Sequence, residues 1–147
     1  ETMDLNGYKI PGTGNGQGLF GLPGEFSPPS RFVRVTLFTQ FAPEQPSAAA
    51  ATATMFHILN NFDIPPGSAI EPEEGIGFEF TTWTAVTDLE NRIFYWKTFG
   101  HQNIAMVDLK QALKIAGDQM LSLPLPDQNK TSIGTALDVT GELQAAK

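Results

Sequence analysis

Apolar and polar positions change their period twice along this 147-residue chain. Residues 1–30 hold no sustained period. Gly stands at 7, 12, 14, 16, 18, 21 and 24 and Pro at 11, 23, 28 and 29, which excludes a long helix and predicts turns, with an extended piece around Leu19-Phe20. Ser27 followed by Pro28 and Pro29 is a helix start: a capping hydroxyl, then prolines where no backbone N–H is needed. The helix is predicted to run through Phe41 and stop before Pro43. Phe32, Val35, Leu37, Phe38 and Phe41 make it too apolar to be solvated, so burial on most sides is expected.

A second helix is predicted from Ser47, after Pro46. Ala48, Ala51, Met55, Ile58, Leu59 and Phe62 recur on one helical face, His57 and Asn61 lie off it, and Pro65-Pro66-Gly67 ends the element. Beyond an acidic loop (Glu71, Glu73, Glu74) the period becomes two. Phe78, Phe80 and Thr82 alternate with Glu79, Thr81 and Trp83, the pattern of a half-buried strand. Asp88-Leu89-Glu90-Asn91 reads as a turn into a second aromatic strand, Ile93 to Lys97, so the two form a hairpin. Asn103 to Asp108 is a third strand and Leu109 to Ile115 a short helix. Residues 121–147 read as an irregular tail and 1–27 as a Gly/Pro-rich loop. Helices followed by antiparallel strands give an α+β fold, helices stacked on one sheet face.

Composition narrows the functions open to such a fold. Apolar residues make up 41% of the chain and charged residues 17%, as in globular proteins. The net charge of −7 argues against nucleic-acid binding through phosphate neutralisation. Cysteine is absent, which removes disulfides, thiolate metal sites and a cysteine nucleophile from these residues. No apolar run is long enough to span a membrane, and no cofactor is expected. Glu1 rather than a methionine opens the sequence, so the chain is expected to be part of a longer one.

Most local motifs have a plain reading. Gly16-x-Gly18-x-x-Gly21 has the letters of a dinucleotide fingerprint, but Leu22-Pro23-Gly24 follows where a helix start is required. His57 and His101 sit in different elements with no obvious partner carboxylate at ligand spacing, and His57, off the apolar helix face, is expected to be solvated. Glu71, Glu73 and Glu74 lack a calcium-loop spacing. Asn129-Lys130-Thr131 fits a glycosylation sequon that arises often by chance. The aromatic strands carry too few basic residues to stack bases and read as core.

Arg31 differs. It lies in the first turn of an apolar helix, where its charge opposes the positive end of the helix dipole. That cost points to pairing with a carboxylate or with developing negative charge. The plainer reading is that Arg31 and Arg34 reach the surface. Arg34, one turn on, could share its face as a structural ion-pair partner.

The run from Gly21 to Arg34, GLPGEFSPPSRFVR, resembles the leucine-proline-glycine-acid and serine-arginine-phenylalanine-valine-arginine segment of the choloylglycine hydrolase family, which holds the penicillin V acylases and bile salt hydrolases. Phe56-His57-Ile58-Leu59, Phe80 to Thr84, Ile93 to Thr98 and Asn103 to Leu109 resemble its later motifs in the same order, across residues 12–115. The stretch Phe56 to Phe62, with Asn60 to Pro65, is more similar to the Gram-negative acylase branch than to gut bile salt hydrolases.

The resemblance implies the C-terminal part of one N-terminal-nucleophile hydrolase domain, a four-layer αββα sandwich. In that family an N-terminal cysteine attacks an amide carbonyl, its own α-amine acting as base, and an acyl-enzyme forms. By match, Arg31 completes the site. The cysteine and the upstream polar residues must then come from a preceding segment or a companion chain, and these residues alone are expected to be inactive. Thr2 is set aside as a nucleophile because Met3 to Gly7 does not read as a strand. The implied substrate is a small N-acyl amide; the implied assembly is a homo-oligomer, with no nucleic acid and no membrane, in the periplasm, with the cytoplasm as the alternative. The alternative is a non-catalytic binding or structural module that kept the fold.

Overall fold

A computed structural model describes residues 2–5, 7–11, 21–70 and 78–123. Gly16, Gly18, Leu19, Phe20, Glu71, Glu73, Glu74 and the 129–131 sequon lie outside these residues, as does nearly all of the tail. The chain divides into two compact units, Glu1–Pro43 and Glu44–Lys147. No helix among the described residues is long and apolar enough to cross a membrane.

The first unit opens with a hairpin where a loop is predicted. Strands β1 (Thr2–Leu5) and β2 (Tyr8–Pro11) pair antiparallel, Thr2 opposite Pro11 and Leu5 opposite Tyr8. Asn6-Gly7 between them is a favoured pair for a tight hairpin turn, and Gly7 takes the φ of 89° that such turns demand. The glycine count of the whole segment hides this local signal. Thr2 does open a strand, so the lack of one no longer counts against it; Glu1 still precedes it in the sequence.

Helix α1 (Pro28–Phe41) has the predicted ends. Ser27 is extended, with φ −62° and ψ 151°, and prolines fill the first two helical positions. Ala42 is again extended because Pro43 excludes the helical region for the residue before it. Burial departs from expectation: Phe32 is 69% and Val33 41% exposed, while Ser30 and Arg34 are buried. The segment 23–25 folds back over the polar side of the helix and covers it there. Apolar composition says that a helix seeks cover, but not which face receives it.

In the second unit, α2 (Ala48–Leu59) starts where predicted, the Ser47 hydroxyl accepting the Ala50 N–H at 3.2 Å. A turn of 3-10 helix, Asn60–Phe62, follows. Phe56 is the buried residue of α2, whereas Met55, Ala48 and Ala51 of the predicted face are exposed. A helix reading AAAATATMFHIL is apolar nearly all round, so its period cannot select the inner face.

The predicted strand through Phe78 to Trp83 is broken in two. Short strands β3 (Ala69–Ile70) and β4 (Phe78–Glu79) pair with each other, and β5 begins only at Trp83. Between them Thr81 is diverted to Ile64: its N–H donates to the Ile64 carbonyl at 3.1 Å, and its hydroxyl accepts the Ile64 N–H at 2.9 Å. Alternation in sequence cannot reveal that competing partner.

The aromatic hairpin forms as predicted. Strands β5 (Trp83–Asp88) and β6 (Ile93–Thr98) pair with Asp88 opposite Ile93, and β7 (His101–Asp108) adds on the far side of β6. In the turn, Asp88 accepts the Asn91 N–H at 2.9 Å and its side-chain amide at 2.7 Å, and Arg92 adopts φ 62°. Phe94 and Trp96 stack at 5.8 Å, and Phe80 meets Phe99 edge-to-face at 5.0 Å. Helix α3 (Leu109–Ala116) is capped by Asp108, which accepts the Lys110 and Gln111 N–H groups at 2.8 and 3.1 Å. Helix α2 lies against β5 and α3 against β7, so the unit is helices on an antiparallel sheet: α+β.

Candidate active-site residues and family membership

Pro28 and Pro29 supply a helical φ but no N–H, so the head of α1 needs other anchoring. Ser27, expected to cap through its hydroxyl, makes no side-chain cap bond. It turns to Glu25 instead. One Glu25 carboxylate oxygen accepts the Ser27 N–H at 2.5 Å, and the other accepts the Ser27 hydroxyl at 2.6 Å together with the Ser30 hydroxyl. As a cap the hydroxyl would accept a helix N–H; here it donates to the carboxylate, a charged and therefore strong acceptor. Hydrogen bonds from the Ser27 and Ser30 hydroxyls, then from the Ser27 N–H, hold the Glu25 pKa down at about 2, with a smaller contribution from the Arg34 charge.

Arg34 is buried in the same unit. Its Nη1 donates to the Pro23 carbonyl at 2.7 Å and to the Glu25 carbonyl at 2.8 Å, so it anchors the segment that bears Glu25. This is the structural arginine that the sequence left between surface and ion pair. Arg31 behaves differently. Its N–H donates to the Ser27 carbonyl at 3.0 Å, fixing the backbone, and its side chain is half-buried. Among the described residues its guanidinium has no carboxylate and no hydrogen-bond acceptor. The pairing expected to offset its unfavourable position is therefore not made within these residues. The two arginines share a helix, and among the described residues one side chain is engaged and the other is not.

The second unit holds a polar cluster that sequence reasoning missed. Lys97 is buried under the end of α2, and its Nζ donates to Asn60 Oδ1 at 2.6 Å, Gln102 Oε1 at 3.2 Å and Asp63 Oδ2 at 3.3 Å. Three N–H donors meet three acceptors, so the ammonium is satisfied in place. It borders a cleft of about 190 Å³ whose walls include Ile64, Pro65, Trp83 and Phe99, and the buried Thr98 hydroxyl there has no hydrogen-bond partner among the described residues. A lone lysine ending an aromatic strand was the available signal. With its charge matched, the cluster is a tie between helix and sheet. His57 is exposed, His101 is half-buried, and no group of His, Asp and Glu suited to a metal occurs among the described residues.

Comparison with known proteins agrees with the motif order. The family model of linear amide C-N hydrolases, choloylglycine hydrolase family, matches residues 1–120. A bile salt hydrolase/transferase of Clostridium perfringens is 33% identical over 107 residues, 73% of this chain and 32% of that protein. An uncharacterised protein of Paramecium bursaria Chlorella virus 1 is 38% identical over 92 residues, 60% of this chain and 33% of its own. The crystal structure of a conjugated bile acid hydrolase from Clostridium perfringens superposes with a TM-score of 0.55 at 31% identity, over 75% of this chain and 33% of that one. A penicillin V acylase from Agrobacterium tumefaciens shares the fold, with a TM-score of 0.54 at 18% identity over 75% of this chain and 41% of that one. The chain spans about a third of the length of the curated relatives it matches. On the extent of the family match, this chain belongs to the choloylglycine hydrolase family of linear amide C–N hydrolases.

Proposed function

We propose that these residues form the C-terminal part of an N-acyl amide hydrolase, with Arg31 directed at a cysteine nucleophile carried by a segment outside them. The observation that carries the reading is the contrast on α1. Arg34 is spent on backbone carbonyls, whereas Arg31 has a fixed backbone and a guanidinium that engages no acceptor among the described residues. A rigid, always-ionised group with open donors is suited to meet developing negative charge.

In the proposed reaction the cysteine sulfur adds to the amide carbonyl carbon, and the thiol proton passes to the α-amine of the same residue. The tetrahedral anion collapses, the C–N bond breaks, and the amine leaves with that proton. Water then adds to the thioester, the C–S bond breaks, and the acid and the free cysteine thiol are released. Arg31 stabilises the anion and holds the nucleophile in line. The absence of cysteine from the 147 residues supports an outside nucleophile, and so does the third of the relatives' length that the chain spans. Conjugated bile salts, penicillin V and N-acyl homoserine lactones are the substrates to try, the first two because proteins similar to this one are named for them.

The test is co-expression of this chain with the nucleophile-bearing segment, assayed on penicillin V and on a conjugated bile salt. Hydrolysis is expected, falling by about 100-fold or more in Arg31→Ala, the usual scale for removing one anion-stabilising group. Full activity in Arg31→Ala removes the role given to that residue. Folding and association without hydrolysis of any amide leaves a non-catalytic module.

A further inference from the structure

We propose that Glu25 positions Arg31: its carboxylate clasps Ser27 and Ser30 and so fixes the head of α1 from which the Arg31 side chain departs. The inference rests on the reading of Arg31 as a catalytic residue and adds the group that aims it.

The path is short. Glu25 accepts the Ser27 N–H at 2.5 Å and the Ser27 hydroxyl at 2.6 Å, and the Ser27 carbonyl in turn accepts the Arg31 N–H at 3.0 Å. The same carboxylate holds the hydroxyl of Ser30, the residue just before Arg31. From the other side, Arg34 binds the carbonyls of Pro23 and Glu25 at 2.7 and 2.8 Å, so the main chain that carries the carboxylate is tied back to the helix one turn on. The clasp is closed at both ends.

Two physical needs call for it. The prolines at the first two helical positions leave the Ser30 N–H as the first that a cap could use, and the Ser27 hydroxyl makes no such bond. A carboxylate at the positive end of a helix also offsets the unfavourable placement of an arginine there. Because the Arg31 guanidinium has no partner among the described residues, its direction depends on the backbone beneath it. Glu25 is exposed and would reach solvent freely were it not held, and its depressed pKa agrees with the three donated bonds.

The test uses the assembled hydrolase, this chain with its nucleophile-bearing segment, and reads kcat and KM separately. Glu25→Ala should lower kcat by about 10- to 100-fold, the scale of an ångström-sized misplacement of a reacting group, with KM within about threefold. In an Arg31→Lys background the same change should lower kcat by less than about twofold, since a positioning residue loses its effect when the group it positions is already displaced. Glu25→Asp should recover part of the loss. An equal loss in both backgrounds, a change confined to KM, or wild-type activity in Glu25→Ala each overturns the proposal. Where Glu25→Ala is unfolded at the assay temperature, Ser30→Ala, which removes one of the three bonds, is read in the same cycle against the same criteria. Wild-type activity in Arg31→Lys and Arg31→Ala defeats the reading of Arg31 itself. A loss there with Glu25→Ala unaffected defeats only the positioning.

Discussion

The tie at Lys97 makes an asymmetric prediction about stability. Its side chain is 9% exposed and that of its partner Asp63 39% exposed, so the two ends of one ion pair face different surroundings. Replacing Lys97 by Met keeps an unbranched stem and removes the buried charge. Asp63, Asn60 and Gln102 lie near water and can be rehydrated, so the loss should be about 1–2 kcal/mol, between a surface pair and a buried one. Replacing Asp63 by Asn keeps shape but leaves a buried ammonium facing neutral acceptors. That should cost about 2–4 kcal/mol, below the upper range for breaking a fully buried pair because Asp63 is partly screened. The double variant should be more stable than Asp63→Asn alone, since the stranded charge is gone. Urea unfolding of the purified protein, followed by the fluorescence of Trp83 and Trp96, measures all three. Lys97→Met costing as much as Asp63→Asn, or a double variant less stable than Asp63→Asn, would refute the reasoning.

Two further outcomes follow from local geometry. The Glu25 carboxyl should titrate at about 2 instead of its ordinary 4.5; because the folded value is the lower one, its stabilising contribution is present above 4.5 and lost as pH falls through about 2, and carboxyl-carbon NMR of the folded protein should show that midpoint, a value near 4.5 meaning that the clasp is not formed. Arg92 holds φ 62° in the β5–β6 turn, so Arg92→Gly should gain roughly 0.5–1 kcal/mol in urea unfolding while Arg92→Ala gains nothing, the same strain remaining with any Cβ.

The limits of each element were legible where the deciding forces are local. Pro28-Pro29 and Pro43 bracket α1, the Ser47 hydroxyl starts α2, and Asp88 to Asn91 turns the aromatic hairpin; all three are set by residues within a few positions of the boundary. What failed was anything settled by a distant partner. Thr81 leaves its strand pattern for Ile64, 17 residues away, and Lys97 reaches Asn60 across 37. Direction of burial failed too, since α1 covers Ser30 and Arg34 and leaves Phe32 exposed. At the site, resemblance singled out Arg31, while the role of Glu25 was hidden behind the expectation that Ser27 would be the cap. A serine before two prolines satisfies the capping rule in letters. Only coordinates show that its hydroxyl proton goes upstream.

The twin pyrrolidines at the start of α1 have a wider consequence. Most helices offer a visiting phosphate or carboxylate a cradle of main-chain hydrogens, which a change of side chain leaves in place unless it brings in proline. Here two of those hydrogens do not exist. The Ser27 main-chain hydrogen is already given to the Glu25 carboxylate, so any welcome for a second anion leans more than usual on side chains, which one codon change can alter. A scaffold so built would keep its shape while its electrostatic character was rewritten.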